Sequence, residues 1–271
     1  MTKKRKEPII TPPAHLRLGK HPARLDIGAP WLPHYLTKKL PNPPKSISWV
    51  DGITSWPDCL NVQTSTSAGI GDCTIAAADH MIQVWTQNSK GTATLIPDSA
   101  TLTAYEAVSG YTPSNPATDV GADPLTVLNY WKTIGIGGDV LSAYAAVPYK
   151  NQKVVMQALQ LFGPLYFGVL LPLTAVNQTV TGGTWTVKKT RGNGAPGSWG
   201  GHALAIVSAN ASGLGIVPWG YPVGLMSMSW QFLSTYGDEL YACLSATDWA
   251  ENTVAPSGFN LAALLQDLKQ V

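Results

Sequence analysis

Gly71-Asp72-Cys73-Thr74-Ile75-Ala76-Ala77-Ala78-Asp79-His80 reads as a glycine loop turning into a buried helix that begins at a cysteine. Gly69 and Gly71 allow close backbone approach, Asp72 stands where a cap belongs, and the alanine run carries Ile75, Met81, Ile82 and Trp85 onward. A thiol at a helix N-terminus feels the positive end of the peptide dipoles, which favours the nucleophilic thiolate. A free cysteine is also a small apolar core group, so this stretch alone leaves both roles open.

The bulk composition narrows the classes. With 271 residues and 45% hydrophobic content the chain can bury a full core. Only 13% of residues are charged, and 26 glycines and 21 prolines imply many turns and extended connections. Net charge is +2, partly from Lys3-Lys4-Arg5-Lys6, which reads as a solvated tail. No second basic run or basic-aromatic face follows, which argues against nucleic acid as a partner. No apolar run reaches the roughly 18 residues that span a bilayer, and no signal-peptide core opens the chain. Cys59, Cys73 and Cys243 are odd in number and far apart, so a reducing compartment is expected and a disulfide framework is not.

Residues 1–45 form an arm rich in Pro, Lys, Arg and His, in which Pro12-Pro13 and Pro43-Pro44 impose extended backbone. Leu16, Leu18, Trp31, Leu32 and Tyr35 are too apolar for a free linker, so the arm should lie on the body with Trp31, Leu32 and Tyr35 as anchors. Lacking a helical period, it reads as a strap behind the body more than as a segment crossing a cleft. The remainder, 46–271, is expected to be one domain. A helical lobe over about 60–163 has starts at Asp98, Asp123-Pro124 and Asn151. A β lobe over about 164–250 is built from strands at 165–171, 185–187, 203–207, 215–217, 225–228 and 240–244. Helices first and strands second argue an α+β fold. Leu261 to Leu268 reads as a short tail helix.

A second stretch gives Cys73 a partner. Gly200-Gly201-His202 places a histidine at the mouth of the apolar strand Ala203-Leu204-Ala205-Ile206-Val207. A nucleophile on a helix start and a base on a facing sheet is what thiol catalysis requires. His80 shares the helix with Cys73 but lies about 10 Å further along its axis, out of hydrogen-bond reach, and reads as a core histidine. No close Cys/His pair begins a zinc site, no G-x-S-x-G elbow or P-loop is present, and no cofactor is implied.

Cys73 opening a helix, a Gly-Gly-His strand and then Val217-Pro218-Trp219-Gly220 resemble the papain-like cysteine peptidase order of Cys, His and Asn-Ser-Trp-Gly. Leu18-Gly19-Lys20, Asn61, Gly71-Asp72-Cys73-Thr74, Gly200-Gly201-His202 and Trp219-Gly220 resemble more closely an uncharacterised bacterial and phage branch of that superfamily, over most of the chain. The resemblance implies a helical lobe and a β lobe with a cleft between them. It implies a Cys73–His202 dyad cleaving a peptide or amide through an acyl-enzyme; with no signal peptide or membrane span expected, a cytoplasmic or virion-associated location is expected.

The resemblance also implies an oxyanion held by the Cys73 amide and a side-chain amide. Six residues before the cysteine stands Ser67, so that amide falls to Asn61, across an apparent insertion through about Ala68, with Gln63 in reserve. Val217 stands where the family's histidine-orienting asparagine would be, and a valine cannot accept from an imidazole N–H. Asp72 beside the thiol would raise its pKa. These departures keep open a papain-shaped structural or interaction protein, such as a component of a phage particle, with the arm docking on a protein partner.

Overall fold

A computed structural model describes residues 9–24, 28–36, 42–65, 67–246 and 266. The expected tail helix at 261–268 falls outside the described residues, apart from 266.

The centre of the molecule is α1 (Cys73–Lys90), buried at every position from Cys73 to Thr86. Ala76, Ala77 and Ala78 add little bulk around the buried helix, and Tyr166 of the sheet donates to the Thr74 carbonyl at 2.8 Å. Gly91, at φ 71°, ends it in the left-handed conformation that glycine adopts without a Cβ penalty. Asp72 holds the N-cap position, yet its side chain makes no cap hydrogen bond. The remaining helices of the first half are α2 (Asp98–Ser109), α3 (Pro124–Thr133) and α4 (Gln152–Phe162). Asp123 caps α3 through the Thr126 amide and Asn151 caps α4 through the Val154 amide, as their sequences predict. In α2 the cap position is Pro97, and Asp98 is the first helical residue.

The strands are β1 (Ser46–Ser48), β2 (Leu141–Ala146), β3 (Leu165–Leu171), β4 (Gly200–Asn210), β5 (Gly213–Trp219), β6 (Gly224–Met228) and β7 (Gly237–Ser245). They form one seven-stranded antiparallel sheet in the order β2-β7-β3-β4-β5-β6, with β1 on β4. Helices gathered in the first half against a mostly later antiparallel sheet make this an α+β fold. Strand β2 and two short helices, α5 (Ala175–Val180) and α6 (Trp230–Tyr236), are not evident in the sequence. Trp185 makes only an isolated bridge to Met228 and no regular strand. No helix among the described residues is long and apolar enough to cross a membrane.

The described residues of the arm lie on the body. Leu16 bridges to Val62, Lys20 to Ala122 and Trp31 to Ala146, and Leu32–Tyr35 form a single 3-10 turn. Leu32 and Tyr35 are buried anchors, whereas Trp31 is 42% exposed and attaches through its backbone. Truncating the buried leucine (Leu32→Ala) should lower unfolding stability by about 2–4 kcal/mol, and Trp31→Ala by clearly less. Paired denaturant titrations check the order, which a free arm would not produce.

Candidate active site

Cys73 is fully buried at the start of α1, and two backbone amides face its sulfur, those of Ala203 on β4 and Gly19 in the arm. Burial pushes the thiol up to about 12; the two amides and Lys20 oppose that rise, and Asp72 adds to it. Cys73 is therefore a neutral thiol while the arm is in place.

His202, one residue before Ala203, is also fully buried. Its Nε2 lies 2.5 Å from the Pro218 carbonyl, and its ring stacks on Trp219 with centroids 4.0 Å apart. A carbonyl can only accept, so Nε2 carries the proton and Nδ1 is left with a lone pair. Nδ1 has no hydrogen-bond partner among the described residues, so it is not bonded directly to Cys73 here. Burial lowers the His202 pKa to about 3, keeping the ring neutral in this covered state. The side chain that should orient it is missing, since Val217 is buried and apolar, and the neighbouring backbone carbonyl orients it instead.

The other expected site residues are less simply placed. Asn61 is buried and donates from Nδ2 to the Ile70 carbonyl at 3.0 Å, while its Oδ1 is unpartnered among the described residues. Gln63 is exposed and pairs through its backbone with His15 of the arm. Asp72 is fully buried with both carboxyl oxygens unpartnered among the described residues; burial and then Asp79 hold its pKa well above the carboxylate range. His80 is a core histidine, with Nε2 2.9 Å from the Pro57 carbonyl and 3.7 Å from the Cys59 sulfur. Desolvation lowers its pKa to about 4.

The arm does not run behind the body. Lys20 donates its amide to Gly201 at 3.3 Å, and Ala122 donates to Gly19 at 2.8 Å and accepts from His21 at 3.0 Å. Trp219 Nε1 donates to the Arg17 carbonyl at 2.9 Å. Residues 17–21 thus cross the groove between the α1 start and the Gly200-Gly201-His202 strand. A Cβ on Gly19 would collide with the Gly71 carbonyl, and one on Gly121 or Gly201 would collide with the arm's own backbone. Asp119 braces this crossing by accepting from Gly71 N (2.9 Å) and Tyr105 Oη (2.6 Å). None of these contacts is written as a motif; the short Leu18-Gly19-Lys20 resemblance was their one trace in the sequence.

No family model matches the chain, and neither does any curated protein. Solved structures match its fold. Xylellain, a cysteine protease from Xylella fastidiosa, superposes with a TM-score of 0.58 at 14% identity, over 86% of this chain and 98% of that one. The Carica candamarcensis cysteine protease CMS1MS2, in complex with E-64, gives 0.51 at 15% over 74% and 98%. Digestive procathepsin L 3 of Tenebrio molitor gives 0.53 at 13% over 85% and 77%. The fold is papain-like, with a helical and a β part.

A histidine held neutral in the fold but protonated in the unfolded chain costs stability as pH falls. The loss opens below the ordinary value of 6.5 and is complete at about 3. Asp79, raised to about 7 by burial, acts in the opposite sense, so the His202 contribution must be read as a difference. Between pH 7 and pH 4, wild type should lose about 2–3 kcal/mol relative to His202→Gln. Parallel pH-dependent melts that show no divergence would contradict a buried neutral His202.

Proposed function

We propose that the chain is a cysteine hydrolase of peptide or amide bonds, acting through Cys73 and His202 and closed in this form by its own arm. The observation that carries the reading is the environment of His202. Its Nε2–H is fixed on Pro218, its face is stacked on Trp219, and its free Nδ1 lies on the strand that passes the Cys73 sulfur. The fold match to cysteine proteases supports it.

In this mechanism Nδ1 takes the thiol proton, and the sulfur attacks the substrate carbonyl carbon. The resulting oxyanion is held by the Cys73 amide and the Asn61 amide, whose present bond to Ile70 must then be shared or exchanged. Collapse expels the amine, to which His202 returns its proton, leaving a thioester. Water attacks that thioester with His202 again as base, releasing the acid and restoring the thiol.

The arm is not a substrate in its present pose. The Gly19 amide points at the sulfur, and a trans peptide bond turns the Leu18 carbonyl the opposite way. The Gly19 carbonyl is held by the Ala122 amide. Removing the crossing would hydrate the site and lower the thiol pKa, since desolvation is the largest cause of its elevation.

A second reading is a papain-shaped interaction protein that never opens, favoured by the complete burial of Cys73 and His202. Gly19→Val separates the two, because its side chain cannot fit against the Gly71 carbonyl while Leu32 and Tyr35 still hold the arm elsewhere. Iodoacetamide labelling of Cys73 near neutral pH should rise roughly tenfold or more in this variant, with Cys73→Ala as the blank. Hydrolysis of a fluorogenic peptide mixture should appear with it and vanish on adding His202→Ala. A reactive thiol with no hydrolysis of any peptide would favour the interaction protein.

A further inference from the structure

Lys20 is a charged side chain that the arm buries. Its side chain has no solvent exposure; the ammonium donates to Asp238 Oδ2 at 2.7 Å and to the His21 carbonyl at 2.8 Å, and forms an ion pair with Glu239 Oε1 at 2.8 Å. The pocket is built for that stem. A Cβ at Gly168 on β3 would collide with Lys20 Cε and with the Glu239 side chain, so only glycine leaves the channel open. Glu239 is 6% exposed and braced by Tyr241 Oη at 2.9 Å. Asp238 and Glu239 also line a cavity of about 410 Å³ together with Arg24, Trp31, Tyr149 and Lys150.

The charge balance makes this more than a fastening. With Lys20 in place the pocket holds two acidic groups against one cation. Without it, a buried carboxylate would have to take up a proton or another cation, because an unpaired buried charge costs several kcal/mol. The groove contacts are also those of a bound peptide. Gly19, Lys20 and His21 pair by backbone with Ala122 and Gly201, and the lysine sits next to the residue whose amide faces the Cys73 sulfur. Backbone pairing is blind to sequence, so what the groove selects is decided by the side-chain pocket.

We propose that Asp238, Glu239 and Gly168 form a specificity pocket for a lysine or arginine side chain, adjacent in the peptide to the residue lying over Cys73. The arm fills it with Lys20, so arm and substrate compete for the same carboxylates. Substrates are then peptides carrying a cationic residue at that position. This rests on the Cys73 groove being a peptide site, and the test reads binding rather than turnover, so failure of catalysis and failure of the pocket are told apart.

The test uses the full chain carrying Cys73→Ala, with the arm loosened in two independent ways, by Gly19→Val and by Lys20→Met. The methionine keeps an apolar stem while removing the cation. Circular dichroism selects the folded hosts. The probe is the labelled synthetic peptide Leu-Arg-Leu-Gly-Lys-His-Pro, matching residues 16–22, with two analogues carrying arginine or norleucine for its lysine. Fluorescence anisotropy should show the lysine and arginine peptides binding at least about tenfold tighter than the norleucine peptide. Adding Glu239→Gln should erase most of that preference. Equal binding of lysine and norleucine peptides, a preference untouched by Glu239→Gln, or no binding to either folded host would overturn the pocket. The ion pair would then be a fastening for the arm and nothing more.

Discussion

Where two backbones approach more closely than a Cβ allows, only glycine fits, and this molecule uses that limit at its centre. Gly19 is threaded between Gly71, two residues before Cys73, and Gly121, with Gly201 admitting the next residue of the arm. Three hydrogen bonds from Lys20, His21 and Ala122 hold the thread, and Asp119 ties Gly71 and Tyr105 together behind it. The electrostatic state of the groove follows from this closure. A covered Cys73 is driven up to about 12 and a covered His202 down to about 3, both chiefly by desolvation. The pair is thus neutral for the same reason that it is inaccessible, and a change that lets water in acts on both together.

The orientation of His202 illustrates how a backbone can do a side chain's work. An amide side chain before the Trp-Gly pair would accept from the imidazole; here the Pro218 carbonyl accepts, on the same turn of chain. The tautomer outcome is identical, since either acceptor leaves Nδ1 as the basic nitrogen. Trp219 adds a stacked face on one side and is itself pinned to the arm through Arg17. The histidine's geometry and the arm's position are therefore linked by one indole ring.

Acidic groups are unusually deep on the helix side of the groove. Asp72 and Asp79 are both buried, and both have pKa values raised by that burial, Asp79 to about 7. Thr101 donates to Asp79 at 2.6 Å, whereas at Asp72 the Asn61 side chain opposes the rise without a hydrogen bond of good geometry. On the other side Asp238 and Glu239 are matched by a buried ammonium. Burial raises the carboxyl pKa values on both edges of the groove, Glu239 included, and it is only at Glu239 that a buried cation, Lys20, opposes the rise.

The sequence by itself determined the periodic elements and the residues with chemical character. The Ala-rich helix opening at Cys73, the caps at Asp123 and Asn151, and the apolar strands Leu165–Leu171 and 203–207 are local signals, legible because their period and end residues repeat known geometry. Cys73 and His202 could be singled out because a nucleophile on a helix start and a base on a strand mouth are local patterns too. Tertiary structure decided what depends on residues far apart in the chain. It took the arm across the groove rather than behind it, buried Leu32 but left Trp31 half out, and turned the Asn61 amide toward Ile70. It also substituted a carbonyl for the missing asparagine and brought Lys20 to carboxylates 218 and 219 residues away. A backbone carbonyl has no letter in a sequence, and a contact between distant glycines is set by what each excludes. Neither leaves a period or a motif to read, so only the folded chain could supply them.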